Sequence, residues 1–211
     1  MRFIVIRHDE YKVTGWSGGT TSELFIYPAG SDCALRNFDF RVSSATVDAE
    51  ESAFSDFTGY VRHITPIRGV MRLSHGTRDS GEAELSPGRA YTFDGGARTL
   101  SRGVCADFNL IHRAGSDGEI LPLMGGSLEL TASRGCLGCF SVSGGLSVEV
   151  RYHSGSDIVR QNEVLGARDT LIFLAPGGAP GEGEIILRAK RSGGPRGGLG
   201  AVLFRTSACG L

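Results

Sequence analysis

No two of the five histidines, His8, His63, His75, His112 and His153, are separated by a single residue. The sequence therefore lacks the local pair that sets two imidazoles on one face of a strand, and no metal site is expected. No apolar run approaches the length of a membrane-spanning helix. Between Arg2 and Arg7 stand only Phe3, Ile4, Val5 and Ile6, too few for the apolar region of a secretion signal. Excess charge of either sign is absent as well: 22 Lys and Arg face 23 Asp and Glu, so no overall field attracts nucleic acid or an anionic membrane. The cysteines, Cys33, Cys105, Cys136, Cys139 and Cys209, are odd in number and carry no spacing of a secreted disulfide framework. A lone C-x-x-C at Cys136 and Cys139 has too few ligands for structural zinc and opens no helix, so buried neutral thiols are expected there. The expected protein is soluble and cytoplasmic.

Helical periodicity is missing too, apart from a short turn of helix expected over Ser52 to Phe57. What the chain has instead is glycine, 32 of 211 residues, placed at the ends of short apolar runs. Those runs alternate or are β-branched, and they predict strands near 3–6, 23–27, 38–46, 61–67, 70–74, 90–93 and 104–112. A second series follows near 127–131, 137–142, 146–151, 170–174, 183–189 and 201–204. Arg68 and Gly69 lie between two predicted strands, and Gly144 and Gly145 predict a hairpin. The chain is all-β, dividing near 114–118 into two β units, 1–115 and 116–211, each closed on itself to hide strand edges. The glycine-rich basic stretch from Arg191 to Gly198 is expected to be a surface loop, because no helix follows to offer its dipole to a phosphate.

Two strands carry the chemistry. By the two-residue period, Phe38, Phe40 and Val42 share one face of the first, and Asp39, Arg41, Ser43 and Ala45 the other. In the second, Phe108 and Leu110 oppose Cys105, Asp107, Asn109 and Ile111. Apolar Ala45, Cys105 and Ile111 share faces with Arg41 and Asp107, which predicts walls of a partly enclosed cavity rather than an open wet face. Arginine there offers a planar fork to a carboxylate, and aspartate orients it or accepts from a ligand amine. Trp16, the only tryptophan, precedes Gly18 and Gly19 and reads equally as core or as a wall of that pocket. No serine sits in a strand-to-helix elbow, so no nucleophile is assigned.

The run Trp16 through Pro28 resembles the signature of the HutD/Ves family. So do Phe40 through Val47; Phe54-Ser55-Asp56-Phe57-Thr58-Gly59 followed by Arg62; Gly69; Phe93-Asp94-Gly95; and Asp107-Phe108-Asn109-Leu110. The resemblance implies a cupin-like double β-barrel, a bicupin of RmlC-like jelly rolls, without the metal-binding histidines of enzymatic cupins and without a cofactor. It also implies an association with bacterial histidine utilisation, in a regulatory or metabolite-binding role. Ser17 stands where the family often has a basic residue, and Gly18 where asparagine is frequent. Carried onto this chain, the ligand-binding positions are Trp16, Thr20, Glu23, Arg41, Ser43, Arg62, Asp107 and Asn109.

The expected function is binding of a small carboxylate metabolite. Arg41 takes the carboxylate, Ser43 and Thr20 donate hydrogen bonds, Asp107 and Asn109 orient it, and Trp16 closes one side. The expected partners are that ligand and, in a homodimer, a second copy of the chain. An isomerase or hydrolase using Asp107 or Glu23 as general base is the enzymatic alternative. A ligand-free interaction module with a filled interior is the third.

Overall fold

A computed structural model describes residues 1–76, 82–175, 184–192 and 198–209. Short alternating runs ended by glycine leave no stretch able to bury one helical stripe. The described residues accordingly fold into nineteen strands and a single 3-10 turn, His8–Glu10. Three strands come first: β1 (Arg2–Ile6), β2 (Lys12–Trp16) and β3 (Gly19–Tyr27). Eight follow as β4 (Phe40–Val47), β5 (Glu51–Ala53), β6 (Tyr60–Gly69), β7 (Met71–His75), β8 (Glu82–Leu85), β9 (Tyr91–Asp94), β10 (Thr99–Arg102) and β11 (Cys105–Arg113). Eight more are β12 (Gly118–Leu123), β13 (Ser127–Ala132), β14 (Gly135–Ser141), β15 (Leu146–Ser154), β16 (Asp157–Leu165), β17 (Thr170–Ala175), β18 (Ile185–Arg191) and β19 (Ala201–Thr206).

The two series of eight have the same topology. Counted from its own start, each builds one sheet in the order first, eighth, third, sixth, as β4-β11-β6-β9 and β12-β19-β14-β17. Each builds a second sheet in the order second, seventh, fourth, fifth, as β5-β10-β7-β8 and β13-β18-β15-β16. This is a jelly roll made twice, hydrogen-bonded as two facing sheets in each unit. The extra strands extend different edges. β3 and β2 add beside β4, whereas β1 adds beside β17. The chain thus groups as Tyr11–Gly115 and as Met1–Glu10 with Ser116–Leu211, so the first ten residues belong with the second series rather than with 11–115.

Gly144 and Gly145 do not close a hairpin. β14 pairs with β17 and β19, while β15 pairs with β16 and β18, so the turn between them carries the chain from one sheet to the other. Positive φ values of 79° and 63° at these glycines permit that sharp corner. Residues 52–57 form no helical turn; Glu51–Ala53 is strand and irregular chain follows. In the glycine-rich basic stretch, residues 193–197 lie outside the described residues. Cys136 and Cys139 are both buried free thiols on β14, and burial pushes the Cys139 thiol up to about 12. Among the described residues no helix is long and apolar enough to cross a membrane.

The interiors differ in kind. Between the sheets of the 116–211 series the space is filled by hydrocarbon, with Leu137, Phe173 and Leu203 from one sheet meeting Leu130, Val148 and Leu187 from the other. In the 11–115 unit a smaller apolar cluster, including Ile64, Met71, Leu73 and Phe93, fills only part of the interior.

β1 is anchored by one carboxylate. Asp169, buried just before β17, accepts from Arg7 Nη1 at 2.9 Å, the His8 backbone N–H at 3.1 Å and the Gly166 backbone N–H at 2.9 Å. Burial alone raises the Asp169 carboxyl, but the hydrogen bonds from Arg7, Gly166 and His8 outweigh it and hold it below the usual carboxylate range. The bound carboxylate therefore contributes stability above that range, and the contribution is lost as pH falls through the depressed value. Asp169→Ala is expected to cost about 1–3 kcal/mol in urea unfolding at pH 7, with the deficit shrinking under acid conditions where the wild-type carboxylate is itself protonated.

Candidate functional site

In the 11–115 unit the inward faces of four neighbouring strands turn polar. β4 contributes Arg41, Ser43 and Ala45, and β11 contributes Asp107, Asn109 and Ile111, in the alternation the sequence predicts. β6 adds Arg62 beside β11, and β3 adds Thr21 and Glu23 beside β4. Together they line a cavity of ≈ 710 Å³. Phe54 and Phe57, from the irregular chain after β5, cover the opposite side, and Asp32, Cys33 and Arg36 from the chain between β3 and β4 stand at its margin. The volume suits a small organic molecule.

Within the cavity wall the polar groups form two connected sets. Arg41 donates from Nε to Glu23 Oε2 at 2.7 Å and from Nη1 to Ser43 Oγ at 3.1 Å. Asn109 joins the second set: its Oδ1 accepts from Arg62 Nη2 at 3.0 Å, and its Nδ2 donates to Asp107 Oδ1 at 2.5 Å. Arg62 is only 7 % exposed, and its guanidinium lies over the Phe54 ring at 4.3 Å, with the Phe93 and Phe57 rings at 5.3 and 5.6 Å. Its Nε is buried and has no hydrogen-bond partner among the described residues. A buried donor without an acceptor is costly.

The electrostatics follow from this burial. Asp107 is 2 % exposed; burial pushes its carboxyl up to about 7, against the opposing pull of Arg62, the Ala45 backbone and Asn109. Burial likewise draws Arg62 down to about 10, partly offset by Asp107, so it stays cationic at neutral pH. Four cations, Lys12, Arg36, Arg41 and Arg62, line the cavity against three carboxylates, Glu23, Asp32 and Asp107.

Seven of the eight expected positions, Trp16, Glu23, Arg41, Ser43, Arg62, Asp107 and Asn109, line this one cavity. Thr20 does not. Its side chain is exposed on the other face of β3, and Thr21 faces inward in its place, because β3 already begins at Gly19 and fixes the parity. Arg41 is also less free than expected, since Glu23 and Ser43 hold two of its nitrogens. Trp16, 38 % exposed, ends β2 with its indole folded over Gly18; a Cβ at Gly18 would overlap the ring, and one at Gly19 would overlap the Thr46 carbonyl. Lys12 and Thr14 on β2 were not foreseen, and neither were Asp32, Cys33 and Arg36. Only the paired phenylalanines of the Phe54 to Phe57 motif gave a sequence signal for the far wall.

Two other features lie apart from the cavity. On the opposite face of the β6 and β11 sheet, His63 and His112 meet through their Nε2 atoms at 2.9 Å, a cross-strand pair with no counterpart in local spacing. Burial, and then His112, lower His63 to about 4. Over the polar face of β15, β16 and β18 there is a groove of ≈ 540 Å³ floored by exposed side chains such as Asn162, Val164, Arg188 and Lys190. Among the described residues no three of His, Cys, Asp and Glu are grouped so as to hold a metal ion.

The raised Asp107 carboxyl has a sign that is testable. A carboxyl whose folded value lies above its unfolded one gives its full stability below the ordinary carboxylate range and loses it as pH rises through about 7. Asp107→Asn is therefore expected to match the wild type in melting temperature near pH 4.5 and to exceed it by several degrees at pH 8, measured by thermal unfolding at both pH values.

The HutD family model matches residues 8–187. A conserved protein of unknown function from Pseudomonas aeruginosa PAO1 is similar in structure, at 24% identity over 98% of this chain and 100% of that one, with a TM-score of 0.76. HutD from Pseudomonas fluorescens SBW25, determined in a formate condition, matches at 25% identity over 98% of both chains, with a TM-score of 0.72. The oxalate decarboxylase of Lactobacillus farciminis, in a formate complex, shares the fold at 8% identity over 98% of this chain and 86% of that one, with a TM-score of 0.62. No curated protein matches the chain.

Proposed function

The chain belongs to the HutD family, and from that premise we propose that its 11–115 unit is a binding site for a small carboxylate metabolite, while the 116–211 series serves as a filled, structural jelly roll. The observation that carries this reading is Arg62, a nearly buried cation that lines the cavity with Asn109 as its one side-chain hydrogen-bond partner among the described residues. A carboxylate entering the cavity accepts a charge-assisted hydrogen bond from that guanidinium. Phe54 occupies one π-face of the guanidinium, which confines the guest to the in-plane approach. Arg41, held in place by Glu23 and Ser43, contributes positive potential and its remaining donors rather than the primary contact. Trp16 covers one side of the guest, and Asn109 fixes Arg62 in register.

Support from relatives is chemical. The similar HutD structure was determined in a formate condition, and the oxalate decarboxylase of the same fold was determined with formate. The cavity volume leaves room for a body well beyond one carboxylate. Through the family's association with histidine utilisation, intermediates of histidine breakdown are the first candidates, with a role in limiting or tuning that pathway in the cytoplasm. An enzymatic reading rests on Asp107 alone, a buried carboxyl lifted to about 7 beside the guest and so suited to general acid or base work. Turnover of any acid that is abolished in Asp107→Asn with the fold intact favours it over pure binding.

The test is calorimetric titration with formate, urocanate and N-formylglutamate, paralleled by the fluorescence of Trp16, the sole tryptophan. At least one acid is expected to bind and to change the emission. Arg62→Lys keeps the charge but removes the fork, and is expected to weaken binding at least about tenfold. Thr20→Ala is expected to leave affinity unchanged. No heat with any of the acids, or full affinity in Arg62→Lys, overturns the reading.

A further inference from the structure

Asp107 is a second carboxylate in a site that already receives one from its guest. Its partners are the Asn109 amide at 2.5 Å and the Ala45 backbone; no Lys or Arg of the described residues forms an ion pair with it. Arg62 shares no hydrogen bond with it, being joined to it through Asn109, and acts on it by charge alone. A guest anion beside Arg62 leaves one buried guanidinium between two carboxylates, and like charges confined to one buried site do not both stay ionised. The guest has the guanidinium, so Asp107 is the group that gains the proton. Protonation leaves the Asn109 contact intact, because Asp107 Oδ1 still accepts from Nδ2 while the other oxygen carries the hydrogen.

Resting on the carboxylate-binding reading above, we infer that the site takes up its anion together with one proton, held on Asp107, so that occupancy reports the acidity of the surroundings as well as the metabolite. The balance is one anion and one solvent proton in, with no bond made or broken beyond the O–H on Asp107. Groups facing Asp107 from the packed elements are Arg62 on β6, Arg41 on β4 and Glu23 on β3. Lys12 on β2 and Asp32, Cys33 and Arg36 between β3 and β4 complete the charged lining, and Cys105 lies on the same strand with its thiol pushed up to about 12, first by burial and then by Asp107. The covering residues Ala53 to Ser55 and Phe57 carry no titratable group. Burial brings the Asp107 carboxyl to about 7, and the guest's charge moves it further upward.

The experiment uses formate and N-formylglutamate, neither of which titrates between pH 5.5 and 8.5. Calorimetry of the full chain across that range is expected to give a constant Kd below about pH 6.5 and a Kd weakening by close to tenfold per pH unit above about 7. At pH 8, heats in two buffers of different ionisation enthalpy are expected to show about one proton taken up per acid bound. Asp107→Asn, which mimics the protonated carboxyl, is expected to bind with affinity constant to within about twofold over the range and with no proton uptake. Binding that is independent of pH in the wild type, or proton uptake undiminished in Asp107→Asn, overturns the inference and leaves the carboxylate-binding reading standing. Failure of both acids to bind at any pH removes that reading, and this inference with it. Should the variant fail to fold, the wild-type proton count decides alone.

Discussion

Keeping charge inside a β-sandwich is the constraint from which the rest of this molecule follows. Two jelly rolls with one topology are built from the same chain, and among the described residues only the 11–115 unit gathers buried charged side chains around a cavity between its sheets. Where β14, β17 and β19 present Leu137, Phe173 and Leu203, the matching sheet of the other unit presents Arg41, Arg62, Asp107 and Asn109. Removing those groups from water is expensive, and the structure offsets the cost through neighbours on adjacent strands. Arg41 has Glu23 and Ser43; Arg62 has Asn109 and three aromatic rings; Asp107 has Asn109 and a backbone amide. One guanidinium nitrogen, Arg62 Nε, is left without a partner among the described residues.

The position of the site follows from sheet register. β4 pairs with β11, and β11 with β6, so Arg41, Asp107 to Ile111 and Arg62 are brought side by side with no contribution from loops. The polar floor is thus carried by central strands, the stiffest part of such a sheet, while the margin comes from the edge strand β2 and from irregular chain. Such an arrangement holds the binding geometry on a rigid floor and leaves entry to the more exposed elements. Beneath the cavity the apolar cluster around Ile64, Met71 and Leu73 excludes water from the rest of the interior.

The parity of β4 and β11 was legible because large apolar side chains alternate there with polar ones, and a strand that alternates so clearly has one workable register. Thr20, a position carried over from the family resemblance, points away from the cavity: a predicted strand start at Glu23 hid four earlier strand residues, and the inward hydroxyl is that of Thr21. β2, Lys-Val-Thr-Gly-Trp, carries no apolar period, since every one of its residues is exposed and only hydrogen bonds to β3 hold it. Its share of the cavity wall was therefore invisible apart from Trp16. The chain between β3 and β4 has no periodicity at all, so Asp32, Cys33 and Arg36 could be placed only by coordinates. Gly144 and Gly145 carry the chemistry of a tight turn, but a glycine pair specifies a reversal of the chain and not which sheet the next strand joins. The His63 and His112 contact depends on cross-strand register, which spacing within one strand does not encode.

The attachment of β1 to β17 has a consequence for how the chain is made. Residues 2–6 pair with residues 170–174, so the apolar residues Phe3 to Ile6 have no partner strand until Thr170–Ala175 has been made, roughly ten seconds or more later at ordinary elongation rates. All residues of the unit Tyr11–Gly115 are made before that, so the pairing of β1 with β17 spans the whole of that unit in sequence. Closing so long a loop is slow in entropic terms, and Arg7 on Asp169, 162 residues apart, is a side-chain contact that secures the closure once it is made.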